Sequence, residues 1–366
     1  MRLLHTADWH LGKTLKGQNL INDQIHIIKE IFKVIDDQKP DAILICGDIY
    51  DRGVPPIEAV ELFNETLTKL AERNIPTLII AGNHDSATRL NFGSKLFLRQ
   101  NIFIAAKVTD TPAQVVLNDE FGEIYFSMIP FFEPGEIKSK FFSEDAERLT
   151  YNDADKFYVD LLRQKIPANK RSVVLAHVFL TGGIESDSER KIVGTLSNVD
   201  ANIFSEYNYI ALGHLHKPQK FYSGSPLKYS FDEANHKKSV SIVDIDGAGN
   251  VKTEKIPLNP RRDVRIVKGT FDEIIKNPKT EDYILARLTK REINVQDKLA
   301  WTFPNLLGVE LPQNSSSEDV SASNFGDGVS VLDYFEDFFK AQTGEDLSSD
   351  YREAMSDFLT EISKEE

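Results

Sequence analysis

Four compact apolar runs constrain this chain more than any other feature. They are DAILICGD (41–48), PTLIIAGNHD (76–85), RSVVLAHV (171–178) and NYIALGHLH (208–216). Each holds β-branched residues and stops at polar side chains of the kind that bind metals. A shorter N-terminal run, MRLLHTADWHLGK, ends in the same way. Between the first of these runs lie segments of helical period: Ile21, Ile25, Ile28, Phe32 and Ile35 over 21–37, then Ile57, Val60, Phe63, Leu67 and Leu70 over 57–70. Apolar strands alternating with amphipathic helices predict an α/β fold with sheet buried on both faces. In such folds the site lies beyond the carboxyl ends of the strands, which is where the polar residues cluster.

After residue 258 the pattern changes. RDVRIVKGTFDEIIKNP and DYILARLTKREI read as strand, helix and strand of a small α+β unit, bounded here as 259–311. PQNSSSEDVSASNFGDG (312–328) has no apolar period and reads as a linker. Two amphipathic helices are expected within 329–366, one carrying Val331, Leu332, Tyr334, Phe335, Phe338 and Phe339, the other Tyr351, Met355, Phe358, Leu359 and Ile362.

The net charge of −14 looks wrong for a protein of nucleic acids, but it is unevenly spread. Residues 313–366 hold 14 acidic and 3 basic side chains, leaving a net of only −3 for the rest. The acidity is a property of the tail and says little about a site in the body. Cys46 is the single cysteine, so no internal disulfide forms and a reducing compartment fits. No run approaches the ~20 apolar residues of a membrane span. A soluble, cytoplasmic protein with no membrane attachment is expected.

The strand ends deliver D8-W-H10, G47-D48-I-Y-D51, G82-N83-H84-D85, H177 and G213-H214-L-H216. Asp8 and His10 stand at i and i+2, a spacing that puts both on one side of an extended chain. Five strand ends carrying carboxylate, amide and imidazole groups in order point to a metal centre rather than to histidines buried in a core. Hard oxygen and imidazole ligands without thiolate suit Mn, Fe or Zn. So many ligands suit two ions sharing a carboxylate, an arrangement that serves phosphoester hydrolysis.

In that order these motifs resemble those of the calcineurin-like metallophosphoesterases. HTADWHLGK, GDIYDRGVPP, AGNHDS, HVFLTGG and YSGSPLKYSFDE are similar to the SbcD-type branch, the bacterial counterparts of the nuclease in double-strand-break repair complexes. The resemblance runs to about residue 310. It implies a metallophosphoesterase core over 1–258, with sheets flanked by helices, and a small DNA-facing capping unit over 259–311. It implies that 329–366 docks a partner. It also implies that Asp8, His10, Asp48 and His216 hold one ion and that Asp48, Asn83, His177 and His214 hold the other, two Mn²⁺ per chain, with Mg, Fe or Zn as alternatives. His84 would protonate the leaving oxygen. Relatives commonly carry a second histidine where this chain has Asp51, and the Asp51 carboxylate is expected to orient His84 and raise its pKa, or to hold the loop. Lys13, Lys16, Arg89, Arg190, Lys191 and Lys217 are candidate DNA contacts.

The activity implied is Mn-dependent hydrolysis of DNA, as an ATP-dependent 3′→5′ double-strand exonuclease and a single-strand and hairpin endonuclease in repair, recombination and replication. The sequence has no G-x-x-x-x-G-K-[ST] of its own, so the implied ATPase is an SbcC-type partner chain. A homodimer within a heterotetramer is implied as well, through the segments near 56–73 and 88–99. GDIYDRG also resembles the phosphatase motif, so a protein phosphatase or a cyclic-nucleotide phosphodiesterase is the alternative.

Overall fold

The structure, a computed structural model, describes residues 1–189, 198–312 and 330–362. It divides into two compact units, Met1–Arg265 and Ile266–Glu366.

The apolar runs of the first unit become strands: β1 (Arg2–Thr6), β2 (Ala42–Cys46), β3 (Thr77–Ile80), β4 (Ile102–Ala105), β5 (Gln114–Asp119), β6 (Gly122–Ile129), β7 (Arg171–His177), β8 (Tyr209–Gly213), β9 (Ser239–Ile245) and β10 (Val251–Pro257). They form two sheets, not one. The six-stranded sheet has the order β10-β9-β1-β2-β3-β4, and the four-stranded sheet has the order β8-β7-β6-β5. Strands β1 to β4 pair in parallel, with Leu4 opposite Ile43 and Leu44 opposite Leu78. In the second sheet β6, β7 and β8 are parallel, with Ala211 opposite Leu175. Parallel pairing brings the carboxyl ends of β1, β2 and β3 to one edge of the first sheet, and those of β7 and β8 to one edge of the second.

The period of two along a strand explains how the sheets pack. Val173 and Leu175 of β7 face one way and join Leu3, Leu44, Leu78, Phe126 and Ala211 in a core shared by residues of both sheets. Val174 and Ala176 face the other way and meet Tyr158, Val159 and Leu162 of helix α3 (Tyr151–Arg163). Helices α1 (Ile21–Gln38) and α2 (Ile57–Arg73) bury Ile27, Ile28, Ile31, Phe32 and Ile35, and Leu62, Phe63, Leu67 and Leu70. The expected helical stripes are thus largely buried, apart from Ile57 and Val60, which stay exposed.

The second unit, from Ile266 of β11 (Val264–Gly269) onward, contains a three-stranded sheet ordered β11, β12 (Tyr283–Leu288), β13 (Leu306–Glu310). Its core joins Ile284 and Ala286 of β12 to Val295 and Leu299 of α4 (Val295–Ala300) and to Phe303 just beyond that helix. Helices α5 (Val331–Thr343) and α6 (Ser349–Ile362) follow, tied together by Arg352 and Glu336 at 2.8 Å. The segment read as a linker lies, from residue 313 onward, outside the described residues. Among the described residues no helix is long and apolar enough to cross a membrane.

Candidate metal centre

The ligand-type residues sit at strand ends or in the loops just after them: His177 closes β7, and the others follow β1, β2, β3 and β8. Four of them depart from ordinary backbone geometry: Asp8 (φ 56°), His10 (φ 44°), Asp48 (φ 48°) and His214 (φ 107°). Side chains with a Cβ adopt such φ values only when the surroundings enforce them, and strain of this kind collects at functional sites. Glycines make the close approach possible. A Cβ on Gly82 would stand 2.2 Å from Asp48 Oδ1, and one on Gly213 would stand 1.7 Å from the carbonyl oxygen of Cys46.

Asp48 is at the middle of the cluster. Its Oδ2 lies 3.6 Å from His10 Nε2 and 3.4 Å from His177 Nε2, while its Oδ1 accepts the His84 backbone N–H at 2.9 Å. On one side, His10 Nε2 faces His216 Nε2 at 3.0 Å. Asp8 joins these two within metal-binding reach. It accepts the His214 N–H through Oδ1 at 2.9 Å, and its buried Oδ2 has no hydrogen-bond partner. On the other side, Asn83 Oδ1 lies 3.0 Å from His177 Nε2 and 3.3 Å from His214 Nδ1.

The hydrogens of the imidazoles follow from their outer partners. His177 Nδ1 is 3.0 Å from the Cys46 carbonyl, which can only accept, so Nδ1 carries a proton and donates. His216 Nδ1 is 3.2 Å from the Glu233 carboxylate, which likewise can only accept. His10 Nδ1 faces the Asp51 carboxylate at 3.6 Å. His216 thus turns a bare Nε2 lone pair toward His10 Nε2, while His10 Nδ1 has no hydrogen-bond partner; the approach of two ligand nitrogens suits a shared cation.

Electrostatics agree with that fit. Burial pushes the Asp8 carboxyl up to about 7, with the Asp48 charge adding to it. Burial also pushes His10 and His214 down to about 3, keeping both neutral with lone pairs available. Burial alone would lower His177, but the Asp48 carboxylate overrides it and lifts His177 to about 9. Against its own burial, Asp48 is held well below the usual carboxylate range by His177 and His10. A proton on His177 beside an ionised Asp48 supplies positive charge where a divalent ion would supply more. The donor set, two carboxylates, one amide and four imidazoles, fits divalent metal.

The ring nitrogens of His84 bond to none of the ligands, although one lies within metal-binding reach of His10 and Asp48. His84 Nδ1 donates to the backbone carbonyl of Asp51 at 2.7 Å, and its buried Nε2 has no hydrogen-bond partner. Of the two roles expected for Asp51, orienting His84 and holding the loop, its main chain bears on the first and its carboxylate on the second. The orienting group is the main-chain oxygen, whereas the carboxylate turns to Lys13 Nζ at 2.7 Å and toward His10. Both that carboxylate and the Lys13 charge are therefore engaged. The other basic candidates are less tied to the centre: Lys16 is exposed, Arg89 donates to the Gly53 carbonyl at 2.8 Å, and Lys217 is half-buried next to His216. Arg190 and Lys191 lie outside the described residues.

The strand-end reading missed two supports. Asp85 accepts three backbone N–H groups, from Ile49, Tyr50 and Gly82, at 2.9–3.1 Å, and so ties the loop after β2 to the loop after β3. Its place in GNHD was the available signal. Glu189 accepts the His216 N–H at 2.6 Å and the Ser186 N–H at 3.0 Å. It had no signal, because it lies in an irregular loop.

The family model for calcineurin-like phosphoesterases matches residues 1–218. The chain is 33% identical over 365 residues to the D subunit of the SbcCD nuclease of Staphylococcus epidermidis, covering 95% of each chain. It is 31% identical over 384 residues to the corresponding SbcCD nuclease chain of Staphylococcus saprophyticus, covering 100% of this chain and 99% of the relative. The solved structure of TT1561 from Thermus thermophilus overlaps 69% of this chain and 98% of its own at 14% identity, with a TM-score of 0.38, too distant to carry an argument. Matched over the whole site by the family model, and over nearly its whole length by these relatives, the chain belongs to the calcineurin-like phosphoesterases, hydrolases of phosphoester bonds, within the family of SbcCD nuclease D subunits.

Proposed function

We propose that this chain is the nuclease subunit of a two-component complex and hydrolyses phosphodiester bonds of DNA at a pair of Mn²⁺ ions. The observation that carries the reading is the position of Asp48 Oδ2, within 3.6 Å of His10 Nε2 and 3.4 Å of His177 Nε2, between two clusters of ligand atoms. Asp8, His10, Asp48 and His216 would hold one ion, and Asp48, Asn83, His177 and His214 the other. The oxygen and imidazole donors, without thiolate, suit Mn²⁺. Two such ions supply charge to a phosphoryl group and activate water near neutral pH.

The chain's own residues do the rest. Asp48 and Asp8 bring negative charge that the ions need, the buried imidazoles of His10, His214 and His216 stay neutral to ligate, and His177 would give up its added proton to a bound ion. His84 points its free Nε2 inward while the Asp51 carbonyl fixes the ring, a posture suited to giving a proton to the leaving oxygen. Because the Asp51 carboxylate serves His10 and Lys13, Asp51→Asn is expected to weaken the first ion by roughly 10-fold. The alkaline limb of the pH–rate profile, which a proton-donating His84 would govern, should stay in place. A downward shift of that limb would mean that the carboxylate acts on His84 after all.

The relatives' names specify a complex of C and D subunits, and we carry that to this chain: an SbcC-type ATPase is its partner, and the ATP-dependent double-strand exonuclease and the single-strand endonuclease are its activities. The domain roles are a nuclease over 1–258, an accessory α+β unit over 259–311, a linker over 312–328 and partner-docking helices over 329–366. Exposed Val331, Phe338, Tyr351 and Phe358 on α5 and α6 support docking. Exposed Val54, Ile57 (74%), Val60, Phe92 (86%), Leu96 and Leu98 support a homodimer through the segments near 56–73 and 88–99.

Truncation after Gly328 tests the docking role. The shortened chain is expected to keep two Mn²⁺ and its single-strand cleavage, while copurification with the partner and ATP-stimulated exonuclease activity fall. Wild-type affinity for the partner after truncation would overturn it.

A further inference from the structure

His216 is held from behind by a buried ionic network that the proposed reaction does not use. Glu233, in the short turn Asp232–Asn235, is fully buried at 0% exposure, and Lys238 is 7% exposed. Lys238 Nζ donates to Glu233 Oε2 at 2.5 Å, to the His216 carbonyl at 2.8 Å and to Ser225 Oγ at 2.8 Å. Glu233 Oε1 lies 3.2 Å from His216 Nδ1 and also accepts the Ser188 hydroxyl. Ser188 Oγ is itself 2.7 Å from His216 Nδ1. A buried ion pair seldom stabilises a fold more than apolar packing would, so this one calls for another role.

The chemistry of the acceptors supplies it. A carboxylate has no hydrogen to give. Glu233 therefore takes the Ser188 hydrogen, and the Ser188 oxygen is left to accept from His216 Nδ1. Both neighbours of Nδ1 then accept, the single hydrogen of a neutral imidazole is drawn to Nδ1, and Nε2 is bare. Without the carboxylate, the Ser188 hydroxyl is free to turn and donate to Nδ1, which moves the ring hydrogen to Nε2 and blocks ligation. Partners of this kind are known to fix the tautomer of metal-ligating histidines.

We propose that Glu233, paired with Lys238 in the interior and acting directly and through Ser188, is a positioning residue that fixes the tautomer of His216 and so sets the affinity of the first ion. The proposal rests on the reading of His216 as a ligand of that ion.

The test is Mn²⁺ titration of the full-length chain by electron paramagnetic resonance, paired with ¹⁵N-histidine NMR of the metal-free chain. The informative variant is the double change Glu233→Met/Lys238→Met, which removes both charges at nearly constant volume. It is expected to bind one Mn²⁺ roughly 10–100-fold more weakly and the other as wild type, with the His216 signal moving from the Nδ1–H form toward the Nε2–H form. Glu233→Gln, whose amide both donates and accepts, keeps the test available if the double variant does not fold, and should give a mixture of the two forms. Wild-type affinity at both positions, or an unchanged tautomer, in a folded variant overturns the proposal. His216→Ala separates the two readings. Loss of one Mn²⁺ there, with normal binding in the Glu233 variants, defeats the role of Glu233 alone. Two Mn²⁺ bound as in wild type by His216→Ala defeats the ligand reading as well.

Discussion

Asp48→Ala is expected to remove both ions and to take metal-dependent cleavage to background. The reason is geometric: one carboxylate oxygen lies within 3.6 Å of His10 Nε2 and within 3.4 Å of His177 Nε2, between the two halves of the centre. The same side chain braces the loop after β3, accepting the His84 N–H at 2.9 Å. Two ions held there would contribute several kcal/mol to stabilising charge in the transition state, so the rate should fall by roughly 10³-fold or more. Metal analysis of the purified variant checks the first half and single-turnover cleavage the second. A variant that retains two tightly bound ions would show that Asp48 does not bridge.

His84→Ala should behave in the opposite way with respect to metal. The His84 ring is fixed through Nδ1 to a backbone carbonyl, and its ring centre is 4.7 Å from that of His10. None of the ligand groupings proposed for the two ions requires it. Ion content should stay at the wild-type level while cleavage drops roughly 10²–10⁴-fold, the usual worth of a positioned general acid. A further check is a DNA substrate with a better leaving group at the scissile bond, on which the variant should recover much of its rate. Loss of an ion together with activity would make His84 a ligand instead.

The sequence was most legible where local pattern and global fold coincide. The runs ending in GD, GNHD and GHLH are continuous because their strands are covered on both faces, and parallel pairing then brings their ends together. Two features escaped that reading. Strands β5 and β6 build the second sheet from QVVLND and GEIYFSMI, and only tertiary pairing with β7 shows that the chain makes two sheets. The direction of the Asp51 side chain also escaped. Spacing places Asp51 near His84, but the backbone bond from Asp51 N–H to the Leu11 carbonyl, at 3.2 Å, fixes a loop in which the carbonyl faces His84 and the carboxylate faces Lys13. The left-handed backbone of Asp8, His10, Asp48 and His214 was illegible for a related reason: none is glycine, and the surrounding bonds impose it. Glu233 and Lys238, five residues apart in an irregular segment, belong to no period at all.

DNA cleavage through divalent metal is the activity proposed for this centre. The most direct measurement offers the full-length chain a hairpin DNA oligonucleotide and a phosphopeptide side by side, in Mn²⁺, in chelator, and in chelator followed by excess Mn²⁺. The hairpin is expected to be cut in Mn²⁺, spared in chelator and cut again on restoration, with the phosphopeptide intact throughout. Dephosphorylation of the peptide without cleavage of the DNA, or DNA cleavage that persists in chelator, would contradict the proposed activity.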